Sequence, residues 1–87
     1  MIVLCRFYAL IIRLHYDDHN PPHFHVWRGK KYLATFDINK ADVIGGSLTR
    51  PDLALVIAWT YMHQRELMNA WKDASEHKRP KKIAPLK

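Results

Sequence analysis

A chain of 87 residues and 10.3 kDa is one domain, and 48% hydrophobic with 11% aromatic residues gives it material for a modest core, which excludes intrinsic disorder. Fourteen Lys and Arg against eight Asp and Glu give a formal charge of +6, but residues 78–87 hold Lys78, Arg79, Lys81, Lys82 and Lys87 and no acid, so the remaining body is nearly neutral and excluded as a uniformly basic nucleic-acid binder. Cys5 is the single cysteine, which rules out an intramolecular disulfide or a multi-cysteine zinc cage and points to a reducing compartment, the cytoplasm by default.

Residues 1–12 are largely apolar, yet Arg6 breaks the run and Arg13 closes it. The uncharged stretch 7–12 is far short of the roughly 20 residues needed to span a bilayer, so the segment reads as part of the fold. Residues 10–17 alternate, with Leu10, Ile12, Leu14 and Tyr16 on one face and Ile11, Arg13, His15 and Asp17 on the other, which predicts a first strand. Asp18, His19, Asn20, Pro21 and Pro22 form a turn, because Asn and Asp favour turns and two prolines cannot donate to a ladder. Residues 23–28 read as a second strand, with Phe24 and Val26 facing in and His23, His25 and Trp27 facing out. Gly29, Lys30 and Lys31 suit a hairpin loop, and residues 32–38 continue as a third strand. A short fourth strand is expected around Val43 and Ile44, ended by Gly45 and Gly46.

Thr49, Pro51 and Asp52 make a helix start, through a hydroxyl cap, a proline in the first turn and an acid near the positive end of the dipole. The helix is expected to run to about residue 75 or 77, with Pro80 preventing continuation. Its apolar stripe is Leu53, Val56, Ile57, Thr60, Leu67, Met68 and Trp71. Leu55, Trp59 and Met62 form a second stripe nearly opposite, either covered by Ile83, Pro85 and Leu86 of the tail or open to a partner. The expected architecture is therefore α+β: a three- to four-stranded antiparallel sheet with one long C-terminal helix on one face. Residues 1–77 make the domain and 78–87 a basic tail, which either docks on the helix or contacts nucleic acid through Lys78, Arg79, Lys81 and Lys82.

The chemistry concentrates at the first hairpin. Superimposing Tyr16 on Phe24 and Leu14 on Val26 places His15 opposite His25 and Asp17 opposite His23, on a face away from the helix that also carries Arg13 and Trp27, with His19 above it on the Pro-Pro loop. Three readings compete. The cluster is a solvated sheet face; or His15, His23, His25, His19, Asp17 and Arg13 form an acid/base or phosphate-contacting site without a cysteine or serine nucleophile; or His23 and His25 with His15 hold a divalent metal. Cys5 and His63 read as packing residues.

The stretches Arg6-Phe7-Tyr8 and Tyr16-Asp17-Asp18-His19-Asn20-Pro21-Pro22-His23-Phe24-His25, with Trp59 on a Leu-rich helix and a closing Ile83-Ala84-Pro85-Leu86, resemble a small bacterial family, the domain of unknown function numbered four-one-six-zero. Two positions depart from that pattern. Ala9 stands where the family usually has Gly, and Ala58 stands before Trp59 where an acid is typical, so no helix carboxylate joins the histidine site at that position. The resemblance implies a product of a compact two-gene operon, proposed as a toxin-antitoxin component beside a small cognate protein encoded nearby. The functional expectation is a small cytoplasmic protein of toxin-antitoxin type that acts on or binds RNA through the His/Arg face. As a catalyst it would be a ribonuclease-type toxin using histidine acid/base chemistry. The alternative is a non-catalytic interaction protein that binds a partner, or a second copy of the chain, through Leu55, Trp59 and Met62, its histidines being structural or metal-binding. No organic cofactor is expected, and a divalent metal is the one group the residues suggest.

Overall fold

The computed structural model describes residues 1–16 and 18–86. Five strands, β1 (Ile2–Phe7), β2 (Leu10–Leu14), β3 (His23–Arg28), β4 (Lys31–Asp37) and β5 (Asp42–Gly46), form an antiparallel meander in sequence order. Two helices follow, α1 (Arg50–Met62) and α2 (Gln64–Ser75). The fold is thus α+β with a fully antiparallel sheet, but it has one strand more than expected and its helix is divided.

The additional strand is β1. Its sequence, IVLCRF, shows no polar alternation because Ile2, Leu4, Cys5 and Phe7 are all buried, and a bulge lies between Val3 and Cys5. The turn after it carries no glycine or asparagine, yet Tyr8 and Ala9 both adopt left-handed backbone, with φ of 49° and 65°.

The helix divides at His63, whose backbone (φ −126°, ψ 23°) leaves the helical region. Thr60, fully buried, turns its hydroxyl back to donate to the Val56 carbonyl, a bond that tends to bend helices. The His63 N–H is shared between the Trp59 and Thr60 carbonyls. Gln64 then ties the start of α2 to the sheet by donating its amide to the Ile38 and Asn39 carbonyls. The start of α1 is as expected: the Thr49 hydroxyl accepts from the Asp52 N–H.

The core joins Leu4, Phe7, Leu10, Ile12, Leu14, Phe24, Val26, Phe36 and Ile38 of the sheet and its margins to Val56, Trp59, Leu67 and Trp71 of the helices. Trp59, expected on the second stripe, is completely buried against Phe7 and Phe24, and its indole donates to the Ala84 carbonyl at 2.8 Å. Leu53 and Ile57, expected on the main stripe, are only half-buried. The tail is docked: Ile83 is buried, and its N–H bonds the Leu4 carbonyl at 3.0 Å on the outer edge of β1. That contact covers an edge strand that would otherwise present unpaired backbone groups. No helix of the described residues is long and apolar enough to cross a membrane.

Candidate functional site

The observed register pairs Ile12 with Val26 and Arg13 with His25, a two-residue slip from the expected pairing that leaves every side chain on its expected face. His15 is therefore not opposite His25. It follows the end of β2 and reaches His25 diagonally, the two rings meeting edge to face with centroids 4.6 Å apart. His25 faces Thr35 across β4, and the Arg13 guanidinium lies 4.8 Å over the Trp27 ring. Asp17, expected opposite His23, lies outside the described residues.

His23 departs from the expected solvated face. It is buried, and its ring centroid lies 5.1 Å from Trp71 of α2 as well as 5.1 Å from His25. Its Nδ1 is 2.7 Å from the Pro21 carbonyl and its Nε2 is 2.9 Å from Asp18 Oδ2. Both oxygens accept, so the ring satisfies both contacts by donating from both nitrogens, and Asp18 balances the resulting charge. Burial works against the Asp18 carboxylate, but the His19 N–H, at 3.0 Å from Oδ1, and the charge and hydrogen bond of His23 outweigh it and hold the carboxyl below its ordinary value.

His25 is tuned the opposite way. Burial disfavours its charged form, His15 and His23 add repulsion, and the attraction of Asp18 is too small to compensate, so its pKa falls below the ordinary 6.5. Its Nδ1 is buried without a hydrogen-bond partner. His23 is thus placed to donate from both nitrogens, while burial and the neighbouring imidazoles hold His25 toward its neutral form. His15, Tyr16, Asp18, His19, His23, His25 and Thr35 together line a shallow, open depression. His19 is exposed at its rim.

One ligand atom each from Asp18, His23 and His25 lie within 4.8 Å of one another, a grouping of the kind that holds a divalent ion. Asp18 takes the third place that spacing gave to His15, because β2 ends at Leu14 and the chain turns earlier than the alternation implied. A metal at His23 Nε2 would replace the hydrogen bond to Asp18. Asp18 is the site residue sequence reasoning missed; the available signal was an Asp five positions before a His across a rigid double-proline turn.

The other expected surfaces divide. Of Leu55, Trp59 and Met62, Trp59 is inside the core, Leu55 is half-buried against it and Met62 is exposed. Lys78, Arg79, Lys81 and Lys82 are all exposed on the docked tail. Cys5 is buried, which pushes its thiol pKa up, as a packing residue requires. His63 is half-buried, bonded to Glu66 and packed near Trp59.

Among known protein families, the one described as "Domain of unknown function (DUF4160)" matches residues 10–72, a stretch that contains β2 through most of α2 and the whole histidine cluster. No curated protein and no solved structure matches the chain.

Proposed function

The chain belongs to the DUF4160 family, and we propose that it is a small protein of toxin-antitoxin type that acts on RNA through the imidazole cluster at the β2–β3 end of the sheet. The observation that carries this reading is the packing of His15, His23 and His25 with centroid separations of 4.6 and 5.1 Å, one ring doubly donating and its neighbour held neutral. A neutral imidazole packed against two others supplies a general base beside candidate general acids near neutral pH.

Among the described residues no serine or cysteine stands beside the cluster, which suits a substrate that brings its own nucleophile. RNA does, in its 2′-hydroxyl. In this reading neutral His25 accepts the 2′-hydroxyl proton as that oxygen attacks the adjacent phosphorus. The bond from phosphorus to the 5′ oxygen breaks, and the leaving oxygen takes a proton from His15, giving a cyclic phosphate and a 5′-hydroxyl. The charges of His23 and Arg13 favour the phosphate, and Asp18 positions His23.

A second reading has its own observation, the Asp18, His23 and His25 grouping, which favours a non-catalytic metal-holding protein that works through a partner. Growth on induction and cleavage of a labelled RNA by purified protein test the first reading, with wild type beside a His15→Gln/His25→Gln variant checked for folding by circular dichroism. Growth arrest and cleavage lost in the folded variant support it. A wild type that neither arrests growth nor cleaves RNA overturns it. Stoichiometric zinc, manganese or nickel in tag-free protein, together with no cleavage, selects the second.

A further inference from the structure

We propose that single-stranded RNA leaves the histidine depression across Tyr16 and continues into the groove between β1 and the docked tail, where Arg79 and Lys82 hold its phosphates. The proposal rests on the RNA reading above and adds a second subsite to it.

Tyr16 is the residue shared by two concavities. It lines the depression with His15, His23 and His25, and it also lines a groove of about 360 Å³ with Val3, Arg79, Pro80 and Lys82. The two surfaces therefore adjoin at this one ring. The Tyr16 ring is 40% exposed and lies nearly parallel to His77, at 11° with centroids 6.1 Å apart. An exposed ring at the junction of two grooves is a stacking platform for an unpaired base. The groove is of the size that takes a small molecule, enough for a nucleotide.

Charge selects this groove over its neighbour. Among the described residues, those lining it include Arg79 and Lys82 and no acid. The groove on the other side of the tail has Lys72, Lys78, Lys81 and Lys82, but Glu66, Asp73 and Glu76 stand among them and offset their field. The backbone that carries these cations is also held in place. Buried Pro80 and Ile83, the Ile83 N–H bond to Leu4 and the Trp59 bond to the Ala84 carbonyl fix the backbone on both sides of Lys82, so little ordering remains to be done on binding.

The test is fluorescence anisotropy with a labelled 12-nucleotide RNA carrying 2′-O-methyl groups throughout, which binds but offers no 2′-hydroxyl. Arg79→Gln/Lys82→Gln is expected to weaken binding at least tenfold and to reduce the slope of log affinity against log salt by about 1.4, two phosphate contacts at about 0.7 each. Tyr16→Ala is expected to weaken it about tenfold and Tyr16→Phe to restore it. Lys30→Gln/Lys31→Gln, which removes the same charge at the far hairpin, is expected to stay within twofold. Loss in the Arg79/Lys82 variant no larger than in the Lys30/Lys31 variant, or no binding by wild type, overturns the proposal. Unmodified RNA separates the two ideas: binding through these residues without cleavage keeps the path and removes the chemistry, whereas cleavage indifferent to Tyr16, Arg79 and Lys82 keeps the chemistry and removes the path.

Discussion

His23 and His25 are two residues apart on one strand, yet the folded chain treats them differently, because Asp18 and the Pro21 carbonyl hydrogen-bond the first and not the second. The consequence for His25 is a pH dependence of stability with a definite sign. Its pKa is lower folded than unfolded, so the unfolded state binds the extra proton, and the stabilising contribution is complete above pH 6.5 and is lost as the pH falls through the lowered folded value. Urea unfolding at half-unit steps from pH 8 to pH 5 should show wild type losing stability relative to His25→Gln below about pH 6.5, with uptake on unfolding approaching one proton. A constant difference between the two proteins across that range would remove the neutral histidine. Asp18 has the opposite chemistry but the same direction: its carboxyl is depressed, so its contribution is present above about pH 3.8 and is lost as the pH falls through the lower folded value. The histidines were legible in the sequence because their spacing survives a two-residue slip. The role of Asp18 was not, because alternation carried the strand on to Asp17 and left Asp18 in the turn.

At the scale of elements, what alternation could specify was the face of each strand and, for β3, its bounds. It could not choose between registers differing by two residues, since both bury Leu10, Ile12 and Leu14 against Phe24 and Val26; the length taken by the turn decides. β1 was illegible for a different reason. A bulge breaks its alternation, so that Ile2, Leu4, Cys5 and Phe7 are buried while Val3 is half-buried and Arg6 exposed, and it leads into a turn whose φ values are positive at Tyr8 and Ala9 without glycine. Left-handed backbone costs a residue with a Cβ about 1–2 kcal/mol, and glycine loses about 0.5–1 kcal/mol through its freer unfolded chain. Ala9→Gly is therefore expected to stabilise the protein by roughly 0.5–1 kcal/mol in denaturant unfolding, and destabilisation would show that the turn is not strained. It is also the position where the resemblance expects glycine. The division of the helix depends on contacts outside it: Gln64 bonds two sheet carbonyls, and Gln64→Ala should cost about 1 kcal/mol with little change in helical circular dichroism.

The molecule as a whole is held by pieces from both ends of the chain. The family match covers residues 10–72, but Ile2, Leu4, Cys5, Phe7, Ala74 and Ile83 belong to the same core as Phe24 and Trp59, and the tail bonds β1 directly. A chain of this size has about 4–13 kcal/mol of stability. Removing residues 78–87 takes away the burial of Ile83, worth about 1.5–3 kcal/mol, and, besides the Lys78 N–H bond to the Asp73 carbonyl at the end of α2, two tertiary hydrogen bonds of about 1 kcal/mol each, and it leaves the Trp59 indole without its acceptor. A fragment of residues 1–77 should therefore still melt cooperatively, but about 3–5 kcal/mol less stable than the full chain. Taking away residues 1–9 as well removes Ile2, Leu4 and Phe7, together about 5–9 kcal/mol of burial, and exposes β2 as an edge. The two losses together come to about 8–14 kcal/mol, the whole of the stability a chain of this size has. A fragment of residues 10–77 is expected to show no cooperative thermal transition, although it carries every histidine of the candidate site. A cooperative melt from that fragment would mean that the sheet needs neither β1 nor the tail. The basic tail would then be an appendage to a self-sufficient domain and not the brace that holds Arg79 and Lys82 beside Tyr16.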